Sequence, residues 1–174
     1  MRTGWSINEI IFKLPLVDIK LKTSDPERGQ SPARVEGTNP FPDVRGVNVG
    51  LKSFDGSFVT ADLNAGGEIV ANRPKLDAWE TFELFRLPDG KVALRACNGK
   101  FVGAKLHEHC QLVADRPYVQ GWEAFALNRL PDGKFTFQAF NGSYVSADLN
   151  RNGKLVADRL EASGWEAFTL MLAG

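Results

Sequence analysis

The sequence predicts an all-β protein written as three copies of one unit, and three observations carry that prediction. Trp79, Trp122 and Trp165 stand 43 residues apart, and each opens a Trp-Glu-x-Phe string through Glu80, Glu123 and Glu166 to Phe82, Phe125 and Phe168. Other positions keep the same interval: Gly56, Gly99 and Gly142 follow Asp55, Asn98 and Asn141, and Phe58, Phe101 and Tyr144 are each followed by Val. The 17 glycines and 9 prolines are scattered among short apolar stretches, as turn-rich β proteins require, and no 3.6-residue apolar period runs through the units. A fixed period of this length marks one supersecondary unit written several times.

Each unit reads as four short strands. In the third, "FTFQAF" (135–140) alternates, "NG" supplies a tight turn, "SYVSA" follows, a polar loop "DLNRNG" leads to "KLVADR", and "WEAFTLML" closes. "LPDG" at Leu87–Gly90 and Leu130–Gly133 is the turn between units, with Pro presetting φ and Gly closing it. The units run about 47–89, 90–132 and 133–174, within a domain spanning 45–174. Side chains alternate faces along a strand. Phe82, Phe125 and Phe168, with Leu84, Leu127 and Leu170, are therefore the expected core set, each Phe worth about 1.5–3 kcal/mol of burial. By the same parity Trp79, Trp122 and Trp165 face away from the core.

A triple four-strand repeat of this length resembles the β-trefoil, a six-stranded barrel capped by three hairpins. The chain is therefore expected to be a β-trefoil of three 43-residue repeats carrying an N-terminal extended arm. The string "NGSYVSADLNRNGKLVADRLEASGWEAFTL" resembles a fascin-type trefoil unit, and also bacterial trefoil carbohydrate-binding modules that repeat Trp-Glu-x-Phe and bind β-glucans. That resemblance implies sugar sites at Trp79 and Glu80, Trp122 and Glu123, and Trp165 and Glu166. On the residues alone, each Trp is either a ring closing the barrel rim or an aromatic platform, and each Glu either a backbone-capping carboxylate or an acceptor for sugar hydroxyls. Arg73, Arg116 and Arg159, also threefold, read as an internal salt bridge or a ligand contact. The Gln-x-Trp signature of ricin-type lectins is absent.

Composition narrows the functions further. Basic and acidic residues balance at 21 each without a cationic run, so neither nucleic acid nor anionic lipid is an expected partner. No stretch is long and apolar enough for a membrane span. The first apolar run is broken by Lys13, Pro15 and Asp18, so no signal core is read and a cytoplasmic location is expected. A secreted or particle-associated protein that had lost its leader would read the same way. No nucleophile and base stand at a catalytic spacing, which predicts a non-enzyme with no cofactor. Asp62 and Asp148 hold equivalent loop positions, where the middle unit has Lys105 and a departing "KLHEHC". His107, His109 and Cys110 read as a solvated loop before a metal site, and no metal is expected. Cys97 aligns with Phe54 and Phe140 as a small core residue, Cys110 aligns with Gly67 and Gly153 in a turn, and no disulfide joins the two cysteines.

Residues 1–44 lie outside the repeat. "PERGQSPARVEGTNPFPD" reads as a tether, and "IIFKLPLVDIKLK" before it as a β-prone arm with Ile11, Phe12, Leu14, Leu16, Val17, Ile19 and Leu21 as its apolar contacts. An isolated apolar strand is not stable alone. Residues 1–22 are thus expected to pair with a protein partner or a second copy, or else to lie along their own barrel. The leading function is non-catalytic glycan binding at up to three equivalent sites, with β-glucan-type polysaccharide favoured. The alternatives are an assembly protein docked by its arm and a fascin-like filament cross-linker.

Overall fold

In the computed structural model the described residues are Ile7, Ile11, 46–105 and 107–173. They form twelve strands, four per unit: β1 (Val47–Lys52), β2 (Phe58–Asp62), β3 (Glu68–Arg73), β4 (Thr81–Arg86), β5 (Val92–Arg95), β6 (Phe101–Lys105), β7 (Gln111–Arg116), β8 (Ala126–Arg129), β9 (Phe135–Gln138), β10 (Tyr144–Asp148), β11 (Lys154–Arg159) and β12 (Thr169–Leu172). The turns follow from their side chains. Asp55, Asn98 and Asn141 each accept the N–H two residues on, at 2.9, 2.9 and 3.0 Å, and the glycine between sits at φ 86°, 75° or 80°. A Cβ would be strained at that φ, so the Asp-Gly and Asn-Gly pairs make these hairpin ends.

Six strands close a barrel. β1 pairs with β4 and β12, β4 with β5, and β8 with β9, all antiparallel. The bridges Val92–Phe125 and Phe135–Phe168 complete the ring. The remaining strands form three hairpins, β2–β3, β6–β7 and β10–β11. β3, β7 and β11 pair with one another at the hairpins' inner ends. There Ala114 N–H donates to the Gly67 carbonyl, Ala157 to Cys110 and Ala71 to Gly153, at 2.7–2.8 Å, so each unit's loop grips the next unit's strand. A Cβ on Gly67 or Gly153 would stand 2.7 or 2.2 Å from a backbone oxygen, which explains glycine there. The middle unit places Cys110 at the equivalent point, with φ 56°. Closure of this kind removes the free edges that would recruit other chains.

The core fills the barrel axis. Leu51, Leu94 and Phe137, Val59, Val102 and Val145, Ile69, Leu112 and Leu155, and Phe82, Phe125 and Phe168 surround a void of about 20 Å³ with no polar lining. Phe137 meets Phe125 and Phe168 edge-on at 6.5 and 5.9 Å, the geometry aromatic quadrupoles favour. Leu84 and Leu170 are buried as expected, and Leu127 packs against the cluster half-buried.

Three expectations need correcting. Cys97, Phe54 and Phe140 are not core residues; all three are exposed, and the two Phe rings stand 54% and 58% accessible. Strict alternation gives the reason: Phe135, Phe137 and Ala139 point inward, which turns Phe140 and its equivalents outward at the turn. The Trp-Glu pairs do not begin strands but occupy 3-10 turns just before them. Finally, Ile11 does not lie on an apolar strand face. Its backbone is helical, as is that of Ile7, and at 3% exposure it belongs to the barrel's own apolar cluster, with Ile7 packed against it. Phe12, Leu14, Leu16, Val17, Ile19 and Leu21, and the remainder of 1–44, lie outside the described residues.

Because Phe82, Phe125 and Phe168 are each at most 1% exposed on the axis, replacing any one with Ala should cost about 3–5 kcal/mol. Urea unfolding measures this, and a loss below about 1 kcal/mol would remove these rings from the core.

Candidate functional site

The three Trp-Glu pairs stand in the 3-10 turns Ala78–Glu80, Gly121–Glu123 and Gly164–Glu166. Each Glu reaches back to the residue that precedes its turn. The N–H groups of Asp77, Gln120 and Ser163 donate to Glu80, Glu123 and Glu166 Oε2 at 3.1, 2.9 and 2.8 Å, and Ser163 Oγ adds a bond of 2.7 Å. This is the return half of a capping box, satisfying an N–H the short turn leaves without a partner. The three carboxylates are 3–5% exposed. Their Oε1 atoms face Arg73, Arg116 and Arg159 Nε at 3.9, 3.9 and 4.0 Å. Each buried charge thus has a cation beside it, as a buried carboxylate requires. The arginine heads stay partly in solvent, so these pairs steer geometry more than they stabilise.

With Glu anchored, the preceding Trp projects at the barrel rim. Trp79 and Trp122 are half-buried, and Trp165 is 46% exposed. The sequence therefore locates Trp and Glu together in every unit, but Glu is not an open surface group. One carboxylate oxygen is held by the backbone, and the other faces arginine. In the middle unit Glu123 also borders a cleft of about 220 Å³ with Gly103, Ala104, Lys105, His107, Glu108, Arg116 and Trp122. Gly103 leaves room there, since a Cβ would lie 2.6 Å from Glu123 Oε1 as it stands; the equivalent positions in the other units hold Thr60 and Ser146. Lys105 pairs with Asp115 at 3.0 Å and with Glu108 at 3.8 Å. Burial holds the Glu123 carboxyl above its ordinary 4.5, against the opposing pull of the Gln120 N–H and Arg116, while Asp115 adds to the rise.

The residues that position-by-position reading missed are Phe54 and Phe140. Phe140 meets Trp122 edge-on, centroids 4.7 Å apart at 66°, and Phe54 lies nearly parallel to Trp165, 5.7 Å apart at 18°. Both contacts cross a unit boundary. Asp62 and Asp148 accept the N–H of Asn64 and Asn150 at 3.1 and 3.0 Å as caps of the polar loops. His107 and His109 are exposed, and among the described residues no His, Cys, Asp or Glu cluster could hold a metal. No helix among them is long and apolar enough to cross a membrane.

Solved structures of the same shape include ThreeFoil, a designed 3-fold symmetric protein, with a TM-score of 0.63 at 15% identity, covering 71% of this chain and 96% of that one. SeviL bound to asialo-GM1 saccharide gives 0.62 at 14% identity, covering 74% and 99%. Polyporus squamosus lectin, bound to a human-type influenza-binding epitope, gives 0.63 at 9% identity, covering 74% and 49%. The fold is a β-trefoil. A GlcNAcα1-4Gal-releasing endo-β-galactosidase from Clostridium perfringens also matches, at 0.63 and 12% identity, but the chain spans only 33% of that protein. A family model described as a domain of unknown function, DUF7910, matches residues 44–115. No curated protein matches the chain.

Glu123 gives a test of the buried carboxylate. With its folded-state pKa raised above 4.5, its contribution is most favourable at low pH and is lost as pH rises through that raised value. Glu123→Gln keeps an oxygen for the Gln120 N–H but cannot ionise. The stability of the variant relative to wild type, from urea midpoints, should therefore increase as pH climbs above 4.5. The opposite slope would show that the carboxylate is stabilised as an anion.

Proposed function

We propose that this chain is a non-catalytic glycan-binding β-trefoil of three 43-residue units, carrying up to three sites for a polysaccharide of β-glucan type. The observation that carries the reading is the recurrence, in every unit, of a rim Trp next to a buried Glu that faces a partly exposed Arg. A pyranose ring with its C–H face on an indole and its hydroxyls toward a guanidinium is the ligand this surface suits. Binding sites of this kind combine aromatic surface with a few fixed polar groups. Arg supplies several N–H donors in a fixed fork, and the side chains of Arg73, Arg116 and Arg159 are 40%, 57% and 51% exposed. Saccharides bound to SeviL and to the Polyporus squamosus lectin support a glycan as the ligand class. The β-glucan preference rests on the resemblance to trefoil modules with the Trp-Glu-x-Phe string.

Catalysis is not part of the proposal. Glu80, Glu123 and Glu166 each cap a turn N–H with one oxygen and face an arginine with the other, the arrangement of a structural carboxylate. The alternative, docking of the trefoil onto a larger assembly through residues 1–22, is weakened by Ile11, which is buried in its own barrel cluster.

Three weak sites on one rigid body gain strength on a repeating polymer through avidity. Affinity electrophoresis in β-glucan gels should show retardation falling as Trp122 and Trp165 are changed to Ala singly and together, with circular dichroism unchanged. Absence of retardation for the wild type, together with a blank glycan array, would overturn the glycan reading.

A further inference from the structure

We infer that each complete sugar platform is assembled across a unit boundary, from the Trp of one unit and the turn Phe of the next, so that two of the three sites are complete. This rests on the glycan reading above. The complete sites are Trp122 with Phe140, and Trp165 with Phe54. The second of these closes the ring from the third unit back to the first.

Phe54 and Phe140 are the observation that the core and the turns leave unexplained. Each is more than half exposed, yet the turn they occupy is set by Asp55 or Asn141 and the following glycine, which need no aromatic neighbour. Large rings left in water are costly unless something covers them. What each ring does touch is the rim Trp, at 5.7 or 4.7 Å. The backbone has been cleared to allow it. A Cβ on Gly121 would stand 3.0 Å from the Phe140 ring, and one on Gly164 would stand 3.1 Å from the Phe54 ring. Where the first unit has a Cβ, as Ala78, the ring opposite is gone and Cys97 takes its place. Glycine stands opposite phenylalanine twice, and alanine opposite cysteine once, the pattern that close packing between these two positions favours. Burial pushes the Cys97 thiol's pKa above its ordinary value, and the nearby Glu80 charge adds to the rise.

The two complete sites also differ. The near-parallel pair at Trp165 and Phe54 offers a stepped shelf, suited to the flat C–H face of one β-linked pyranose extending onto the next. The edge-on pair at Trp122 and Phe140 makes a corner beside the cleft that Arg116, His107 and Lys105 border, which admits one residue with its hydroxyls toward those groups. The first site keeps Trp79 and Arg73 but offers no second wall.

Isothermal calorimetry with β-1,3- and β-1,4-linked glucan hexasaccharides tests this on the full chain. The wild type should titrate with two sites. Phe54→Ala and Phe140→Ala should each lose one, and the double variant should bind at least about tenfold more weakly. Trp79→Ala should leave the capacity at two. Phe54→Tyr should retain binding, because it keeps the ring. The Ala78→Gly, Cys97→Phe double variant should gain a third site. Three sites in the wild type, or unchanged binding in both Phe→Ala variants while Trp122→Ala and Trp165→Ala lose theirs, would overturn the inference and leave the glycan reading standing. Failure of the wild type to bind any hexasaccharide, polysaccharide gel or arrayed glycan would overturn the glycan reading, and the inference with it.

Discussion

The buried carboxylate of Glu80, Glu123 and Glu166 is the constraint on which the rim of this molecule depends. A three-residue 3-10 turn has few hydrogen bonds of its own, and the chain must reverse there between a cap hairpin and a barrel strand. Taking the N–H of Asp77, Gln120 or Ser163 onto Oε2 pins the turn at its entry. The Phe two residues on, buried on the barrel axis, pins it at its exit. Between those fixed points the Trp side chain is left at the rim. A buried ion is expensive, and the arginine at the end of each hairpin strand offsets that cost only at long range, near 4 Å. An apolar residue at the Glu position would leave the turn's N–H without a partner. The carboxylate serves the turn's conformation, with an indole on the residue before it and a guanidinium near 4 Å from its second oxygen in each unit.

The same logic of shared contacts runs around the whole threefold body. At the inner end of the cap, each unit's loop accepts a hydrogen bond from the next unit's strand, through Gly67 to Ala114, Cys110 to Ala157 and Gly153 to Ala71. At the rim, Phe140 and Phe54 cross the same boundaries to meet Trp122 and Trp165. No unit is self-contained, because its neighbours complete its backbone pairing and, for Trp122 and Trp165, supply the ring that meets the rim Trp.

The fold was legible in the sequence because its signals are local and periodic. Asp-Gly and Asn-Gly turns, alternating strands and Trp-Glu-x-Phe at a constant interval all report the all-β architecture and its inward Phe set. The candidate site was legible in part. Trp, Glu and Arg could be grouped by their shared interval, but which face they presented could not, since parity fails in the 3-10 turn where Trp and Glu stand. Apolar character at equivalent positions points Phe54, Phe140 and Cys97 inward, although counting from Phe135 and Phe137 turns Phe140 outward. Ile11, an apolar contact of the β-prone arm by sequence, instead has helical backbone and joins the barrel's own cluster. Both errors share a cause: composition says that a residue prefers burial, and only backbone geometry says where it points.

The central claim is that the anchored turns present Trp rings as the ligand surface. It is tested most directly by following the indole and backbone N–H signals of the ¹⁵N-labelled wild type by NMR during titration with a β-glucan oligosaccharide. The account predicts saturable shifts of the Trp122 and Trp165 indole signals and of the amides at Gly121 and Gly164, with the amides of Val59, Val102 and Val145 around the barrel axis unmoved. Shifts that spare all three rim indoles, or that centre on the barrel axis, would contradict it.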